Sequence, residues 1–133
     1  MATAVIDASV FTYALLNDSD RALTAIAACE QFDHWVAPHH LDVECLSAWR
    51  SMVRRGEATA ADALRAMDEL MQARIDRYDS YLLAARIWSL QDNLSSYDAA
   101  YVAVAEDIGA PVVTRDARLA RAPGPRCSFL LVE

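Results

Sequence analysis

AVIDASVF (residues 4–11) carries a single carboxylate, Asp7, at the end of an otherwise apolar run. Residues 2–7 read as a short buried strand, and from Ala8 onward the apolar positions take up helical spacing. An ionised carboxylate is costly to remove from water, so a charge set in a first core strand must be paired, hydrogen-bonded or bound to a metal. The rest of the chain has to supply one of the three.

Working outward, the same alternation recurs. A helix over residues 8–17 is followed by NDSD (17–20), which restarts a second helix running to about Gln31. HWVAP (34–38) is a brief strand closed by Pro38, and HHLDVECLSAWRSMVRR (39–55) is a long helix stopped by Gly56. Residues 57–74 have the pattern of an amphipathic helix, IDRYDS (75–80) of a short strand and YLLAARIWSLQD (81–92) of a further helix. NLSSYDAAYVAVAEDIG (93–109) gives turn residues, a helix and a glycine stop. APVVTRD (110–116) is a strand leading into the short helix ARLAR (117–121), PGP (123–125) a loop, and CSFLLV (127–132) a last buried strand. Strands alternating with helices predict an α/β fold, a mostly parallel central sheet flanked by helices in a three-layer α/β/α sandwich. No linker, repeat or low-complexity segment interrupts residues 1–133, which read as one domain.

Composition narrows the function. With 133 residues, 55% of them hydrophobic, the chain can bury its own core. It shows neither a secretory leader nor an apolar run long enough for a membrane span, so a cytoplasmic protein without membrane contact is expected. Cys29, Cys45 and Cys127 have no pairing framework and read as reduced thiols. A net charge of −7 weighs against a nucleic-acid binder, although all 12 basic residues are arginine, the better bidentate partner for phosphate. The absence of lysine excludes a P-loop and Schiff-base chemistry.

Four acids converge on one edge of the predicted sheet. Asp7 and Asp116 close strands, Asp98 lies in the first turn of the helix preceding the strand of Asp116, and Glu44 lies in the first two turns of the helix leaving the second strand. In open parallel sheets functional groups collect beyond the carboxyl ends of the strands. Taken singly, the aspartates could serve helix N-termini and Glu44 a solvated face. Together, unpaired, they repel and raise one another's pKa. Only Arg115 and Arg118 are near in sequence, and a hard divalent cation with oxygen ligands is the natural neutraliser.

VIDASV (5–10), LDVECLSAWR (41–50), SSYDAAYVAVAE (95–106) and VVTRDARLA (112–120) resemble, in order, the four acidic motifs of PIN-domain ribonucleases, and more narrowly the VapC toxins of bacterial toxin–antitoxin pairs. The resemblance implies a PIN-like fold and a toxin endoribonuclease that cleaves RNA, tRNA or rRNA, by metal-assisted hydrolysis. Asp7, Glu44, Asp98 and Asp116 would be its catalytic and metal-binding residues, with Mg²⁺ or Mn²⁺ as cofactor and Ser9 and Thr114 in support. It further implies a cognate VapB-type antitoxin and a homodimer. Some PIN nucleases carry another acid just after the last motif, whereas Ala117, Arg118, Leu119 and Ala120 offer none here, which bears on a second metal.

Clustered arginines offset the acidic balance: Arg50, Arg54 and Arg55 on one helix, and Arg115, Arg118, Arg121 and Arg126 around the last motif. Arg115, Arg118 and Arg121 are the RNA-contact candidates. His34, His39 and His40 lack zinc-ligand spacing and are assigned surface or packing roles, Trp35, Trp49 and Trp88 core or interface roles, and Cys45 packing. A haloacid-dehalogenase-type phosphatase would need an acid where Ser9 stands, and a receiver domain needs a lysine. A catalytically inactive PIN-fold binding module and a nuclease of another substrate class are the alternatives.

Overall fold

The computed structural model describes residues 2–133. Its five strands are β1 (Thr3–Ile6), β2 (His34–Pro38), β3 (Ile75–Tyr78), β4 (Val112–Thr114) and β5 (Phe129–Leu131). They form one sheet in the order β3-β2-β1-β4-β5, with every neighbouring pair parallel. Seven helices flank it: α1 (Ala8–Leu16), α2 (Asp20–Glu30), α3 (Leu41–Arg54), α4 (Ala60–Gln72), α5 (Ala84–Ser89), α6 (Ser96–Ile108) and α7 (Ala117–Arg121).

The boundaries follow from local chemistry. Ser19, Thr59 and Ser95 each accept a hydrogen bond from the backbone N–H three residues on, capping α2, α4 and α6. The Thr59 cap is why α4 begins at Ala60, later than the predicted start at Glu57. Gly109 ends α6 at φ 70°, a left-handed conformation that glycine adopts without strain. The predicted helix over 81–92 divides into a 3-10 turn (Ser80–Leu83) and the short α5, and Trp88 on α5 is 66% exposed rather than core.

From β1 the sheet is built outward in both directions, to β2 and β3 on one side and to β4 and β5 on the other. Right-handed crossovers then put α1–α4 on one face and α5–α7 on the other. The packing agrees: α1 contacts α2, α3 and α4, whereas Leu90, Ala99, Val102 and Leu119 join the segment after α5 to α6 and α7 in a separate apolar cluster. Sheet residues Ala4, Val5, Ile6, Val112 and Val113 are completely buried between the layers. Helix α6 is apolar nearly all round and accordingly buried from Ala99 to Ala105. The strand order reverses between β1 and β4, and the crevice beyond their carboxyl ends is the expected place for a site. No helix among the described residues is long and apolar enough to cross a membrane.

Candidate active site

The parallel register places Ile6 opposite Val113, and the Asp7 N–H donates to the Val113 carbonyl at 2.9 Å, so Asp7 and residues 114–116 leave the sheet side by side. Asp7 is only 5% exposed. Its Oδ2 accepts hydrogen bonds from Ser9 Oγ at 2.7 Å and Thr114 Oγ1 at 2.8 Å. Each hydroxyl in turn accepts from the backbone: the Arg115 N–H donates to Ser9 Oγ and the Asp116 N–H to Thr114 Oγ1, both at 3.0 Å. The two hydroxyls thus relay main-chain amides onto one carboxylate oxygen. Burial nevertheless pushes the Asp7 carboxyl from 3.8 up to about 6, against the two hydroxyl hydrogen bonds and with help from the charges of Asp98 and Glu44.

Helix α3 supplies Glu44, whose Oε1 accepts a 2.7 Å hydrogen bond from the fully buried Tyr101 of α6. His40 Nε2 lies 3.3 Å from the same oxygen and 3.1 Å from the Tyr97 carbonyl, and its ring packs edge-on against Tyr97 and Tyr101. Burial lowers the pKa of His40, but the Glu44 carboxylate outweighs it and holds the imidazole above its ordinary 6.5. The Tyr101 phenol is driven far upward by burial and by the charges of Asp7 and Glu44, so it remains a donor.

Asp98 occupies the first turn of α6, its N–H capped by Ser95 Oγ at 3.1 Å. Partial burial raises its carboxyl pKa, and Asp116 and Glu44 add to the rise. Asp116 caps α7, its Oδ1 accepting from the N–H groups of Arg118 at 2.9 Å and Leu119 at 3.4 Å. For Asp7, Glu44 and Asp116 the pattern is the same: protein donors fix one oxygen and, among the described residues, leave the other unengaged. Held carboxylates of this kind are what metal ligands require of their surroundings.

One cavity of about 370 Å³ is lined by Asp7, Ser9, Glu44, Asp98 and Asp116, together with Tyr13 and Arg55. Among the described residues no three of the acids form a closed metal cage; they surround a shared space. An oxygen-only donor set of four carboxylates fits a hard divalent ion that keeps several waters, and does not fit zinc.

The RNA-contact candidates part company. Arg115 is not in the lining of the cavity itself; its guanidinium lies 4.1 Å from the centre of the ring of Tyr13, which is. Arg118 is almost wholly exposed on α7, 3.9 Å from Asp116, and Arg121 is exposed in the last turn of that helix. Arg55, just past the end of α3, lines the acid cavity while paired with Glu57, whereas Arg50 and Arg54 of α3 line a separate apolar groove against α4. His40, Tyr101 and Tyr13 were not singled out as site residues by sequence reasoning. Two had a usable signal: His40 precedes Glu44 by one helical turn and Tyr101 follows Asp98 by three residues, spacings that put side chains on one helix face.

Comparison with known proteins places this geometry in a family. Residues 4–125 match the PIN domain model. Ribonuclease VapC9 of Mycobacterium tuberculosis is 38% identical over 128 residues, 96% of this chain and 97% of the relative. Two solved structures share the fold: Mycobacterium tuberculosis VapC20, described as a Sarcin-Ricin loop cleaving toxin, at a TM-score of 0.67 and 16% identity over 87% of this chain and 92% of the other, and VapBC2 from Rickettsia felis, bound to a DNA fragment from their promoter, at a TM-score of 0.65 and 10% identity over 98% and 99%. With its four acids on the carboxyl edge of a five-stranded parallel sheet, this chain belongs to the PIN-domain family, among the VapC ribonucleases.

Proposed function

We propose that the chain, residues 1–133 acting as one domain in the cytoplasm, is a toxin endoribonuclease that hydrolyses phosphodiester bonds in structured RNA, tRNA or rRNA. The observation that carries the reading is the convergence of Asp7, Glu44, Asp98 and Asp116, from four separate elements, on one cavity. Family membership supports it, since VapC9 is a named ribonuclease.

The four acids would hold Mg²⁺ or Mn²⁺ through the oxygens that the protein leaves unengaged. When bound, such an ion polarises the scissile phosphate and lowers the pKa of a coordinated water. The chain's own residues do the rest. Ser9 and Thr114 fix the rotation of the Asp7 carboxylate, and Tyr101 and His40 fix that of Glu44. One Asp7 oxygen already receives two hydroxyl protons, which leaves Asp98 the freer group to take the proton of the attacking water.

A VapB-type antitoxin and a second copy of the chain are the proposed partners, in keeping with the VapBC2 assembly. The apolar groove between α3 and α4, lined by Leu46, Val53, Leu64 and Met67 and edged by Arg50 and Arg54, suits an antitoxin segment carrying apolar and acidic residues.

The test is cleavage of total cellular RNA by purified protein in Mg²⁺ or Mn²⁺ and in EDTA, with Asp98→Asn run in parallel. Discrete fragments that disappear both with EDTA and with the variant support the reading. Fragments that persist in EDTA, or in the variant, overturn it.

A further inference from the structure

The carboxylate cavity does not end at the acids. Tyr13, Met52 and Arg55 line it and also line a second cavity of about 590 Å³, whose other walls are Asp18, Ser19, Asp20, Arg21 and Glu57. The two cavities adjoin along these three residues. That ring is flanked by two guanidinium groups, Arg115 at 4.1 Å and Arg21 at 6.0 Å from its centre.

Arg115 is set apart from the other arginines near the site. Arg55 is engaged bidentately by Glu57 at 3.1 and 2.9 Å. Arg115 has no carboxylate within ion-pair distance among the described residues, and its buried Nε–H has no hydrogen-bond partner. Its main chain is anchored in the site, because its N–H donates to Ser9 Oγ, the hydroxyl that holds Asp7. A buried donor without a partner costs stability, so an arginine retained only for packing would not be left in this state. The guanidinium sits over the Tyr13 ring, and among the described residues no hydrogen bond engages its terminal N–H groups, the groups with which arginine takes a phosphate.

We propose that Tyr13 is a substrate-positioning residue: its ring holds the Arg115 guanidinium beside the acid cavity to receive the RNA phosphate that flanks the scissile bond, and the strand continues across Tyr13 toward Arg21. The proposal rests on the ribonuclease reading above and adds the subsite. Tyr13 acts through Arg115, whose stacking already covers one face of the ring, and not as a platform for a base.

Two measurements test it. Binding of a short fluorescein-labelled single-stranded RNA of mixed sequence is followed by anisotropy against salt, in the Asp98→Asn background so that the RNA stays intact. Cleavage kinetics are followed in Mn²⁺ with an otherwise unaltered chain. Tyr13→Leu is expected to raise Kd and KM together by roughly 3- to 30-fold, with kcat within about twofold. Tyr13→Phe, which keeps the ring, stays near the parent in both. Arg115→Gln lowers the salt slope of binding by about 0.7, one single-strand phosphate contact. Adding Tyr13→Leu to Arg115→Gln brings little further loss, because the two act as a unit.

A Tyr13→Leu chain with the parent's KM overturns the proposal, as does a Tyr13→Phe chain damaged as much as Tyr13→Leu. If Tyr13→Leu does not fold, an unchanged salt slope in Arg115→Gln overturns it alone. EDTA-sensitive cleavage in the parent with any of these results removes the subsite and leaves the ribonuclease standing. A parent chain that neither binds nor cuts RNA removes both.

Discussion

Thr114 and Asp7 close adjoining parallel strands and are joined by a 2.8 Å hydrogen bond across 107 positions of the chain. The sheet itself therefore builds the site: the β1–β4 register brings the first and last acidic motifs together, and Thr114 passes the Asp116 amide through its hydroxyl to Asp7. The consequences are specific to individual atoms.

Asp7→Asn should abolish cleavage yet stabilise the protein in EDTA. The asparagine Oδ1 can accept both hydroxyl hydrogen bonds in place of Asp7 Oδ2, so the variant loses the charge and keeps its anchor. A carboxyl raised from 3.8 to about 6 binds its proton more tightly in the folded chain than in the unfolded one. Its contribution to stability is full below pH 3.8 and is lost as pH rises through 6, a difference of about 3 kcal/mol. Thermal melts in EDTA should show the variant matching the parent near pH 4 and exceeding it at pH 7. A variant that melts lower than the parent at neutral pH would contradict this.

Asp116 has two duties that substitution can separate. Asn retains an acceptor for the Arg118 and Leu119 amides, whereas Ala leaves the start of α7 uncapped. Asp116→Asn should keep the parent's urea midpoint, and Asp116→Ala should lose about 1 kcal/mol. Both should be inactive on RNA, because neither supplies the second carboxylate oxygen.

Tyr101→Phe removes the 2.7 Å donor from Glu44 and little else. Loss of an outer partner of a metal-binding carboxylate typically costs about 10- to 100-fold in metal affinity. The rise in melting temperature on adding Mn²⁺ should shrink accordingly, while the metal-free chain loses only about 1 kcal/mol. An unaltered Mn²⁺ response would show that Tyr101 serves the core alone.

At the opposite edge of the sheet, Glu106 is gripped by Arg86 through bonds of 2.7 and 3.0 Å and by the Arg126 N–H at 2.7 Å, and Arg86 also donates to the Gly124 carbonyl. The Arg86 guanidinium holds the Glu106 carboxyl below its ordinary 4.5, against the effect of burial. A depressed carboxylate stabilises the fold above pH 4.5 and loses that contribution as pH falls below it. Glu106→Gln should flatten the acid limb of the stability profile without altering cleavage at neutral pH, because the pair lies outside the acid cavity.

The acids were legible in the sequence because strand-to-helix topology alone fixes their edge. Asp7 and Asp116 end predicted strands, and Asp98 begins the helix that runs back to the start of β4, so no side-chain detail was needed. Tyr101 escaped because a tyrosine inside YVAVA on an apolar helix has the pattern of core, and it is core, with only its hydroxyl in the site. His40 was hidden beside His39; its turn before α3 brings it to Glu44, while His39 points to Asp79. The Tyr13–Arg115 stack joins distant motifs, and periodicity carries no information on such pairs. Trp88, assigned to core or interface, is not core: the predicted helix over 81–92 divides into a 3-10 turn and the short α5, and the indole stands on the surface.

We propose that Asp7, Glu44, Asp98 and Asp116 act as one cation site. The most direct measurement is a Mn²⁺ titration of the purified chain followed by electron paramagnetic resonance, which counts free ion, with Asp7→Asn, Glu44→Gln, Asp98→Asn and Asp116→Asn beside the parent. The expected result is saturable binding by the parent and a marked loss of affinity in each of the four variants. Saturable binding that survives all four substitutions, or a parent that binds no Mn²⁺, would contradict it.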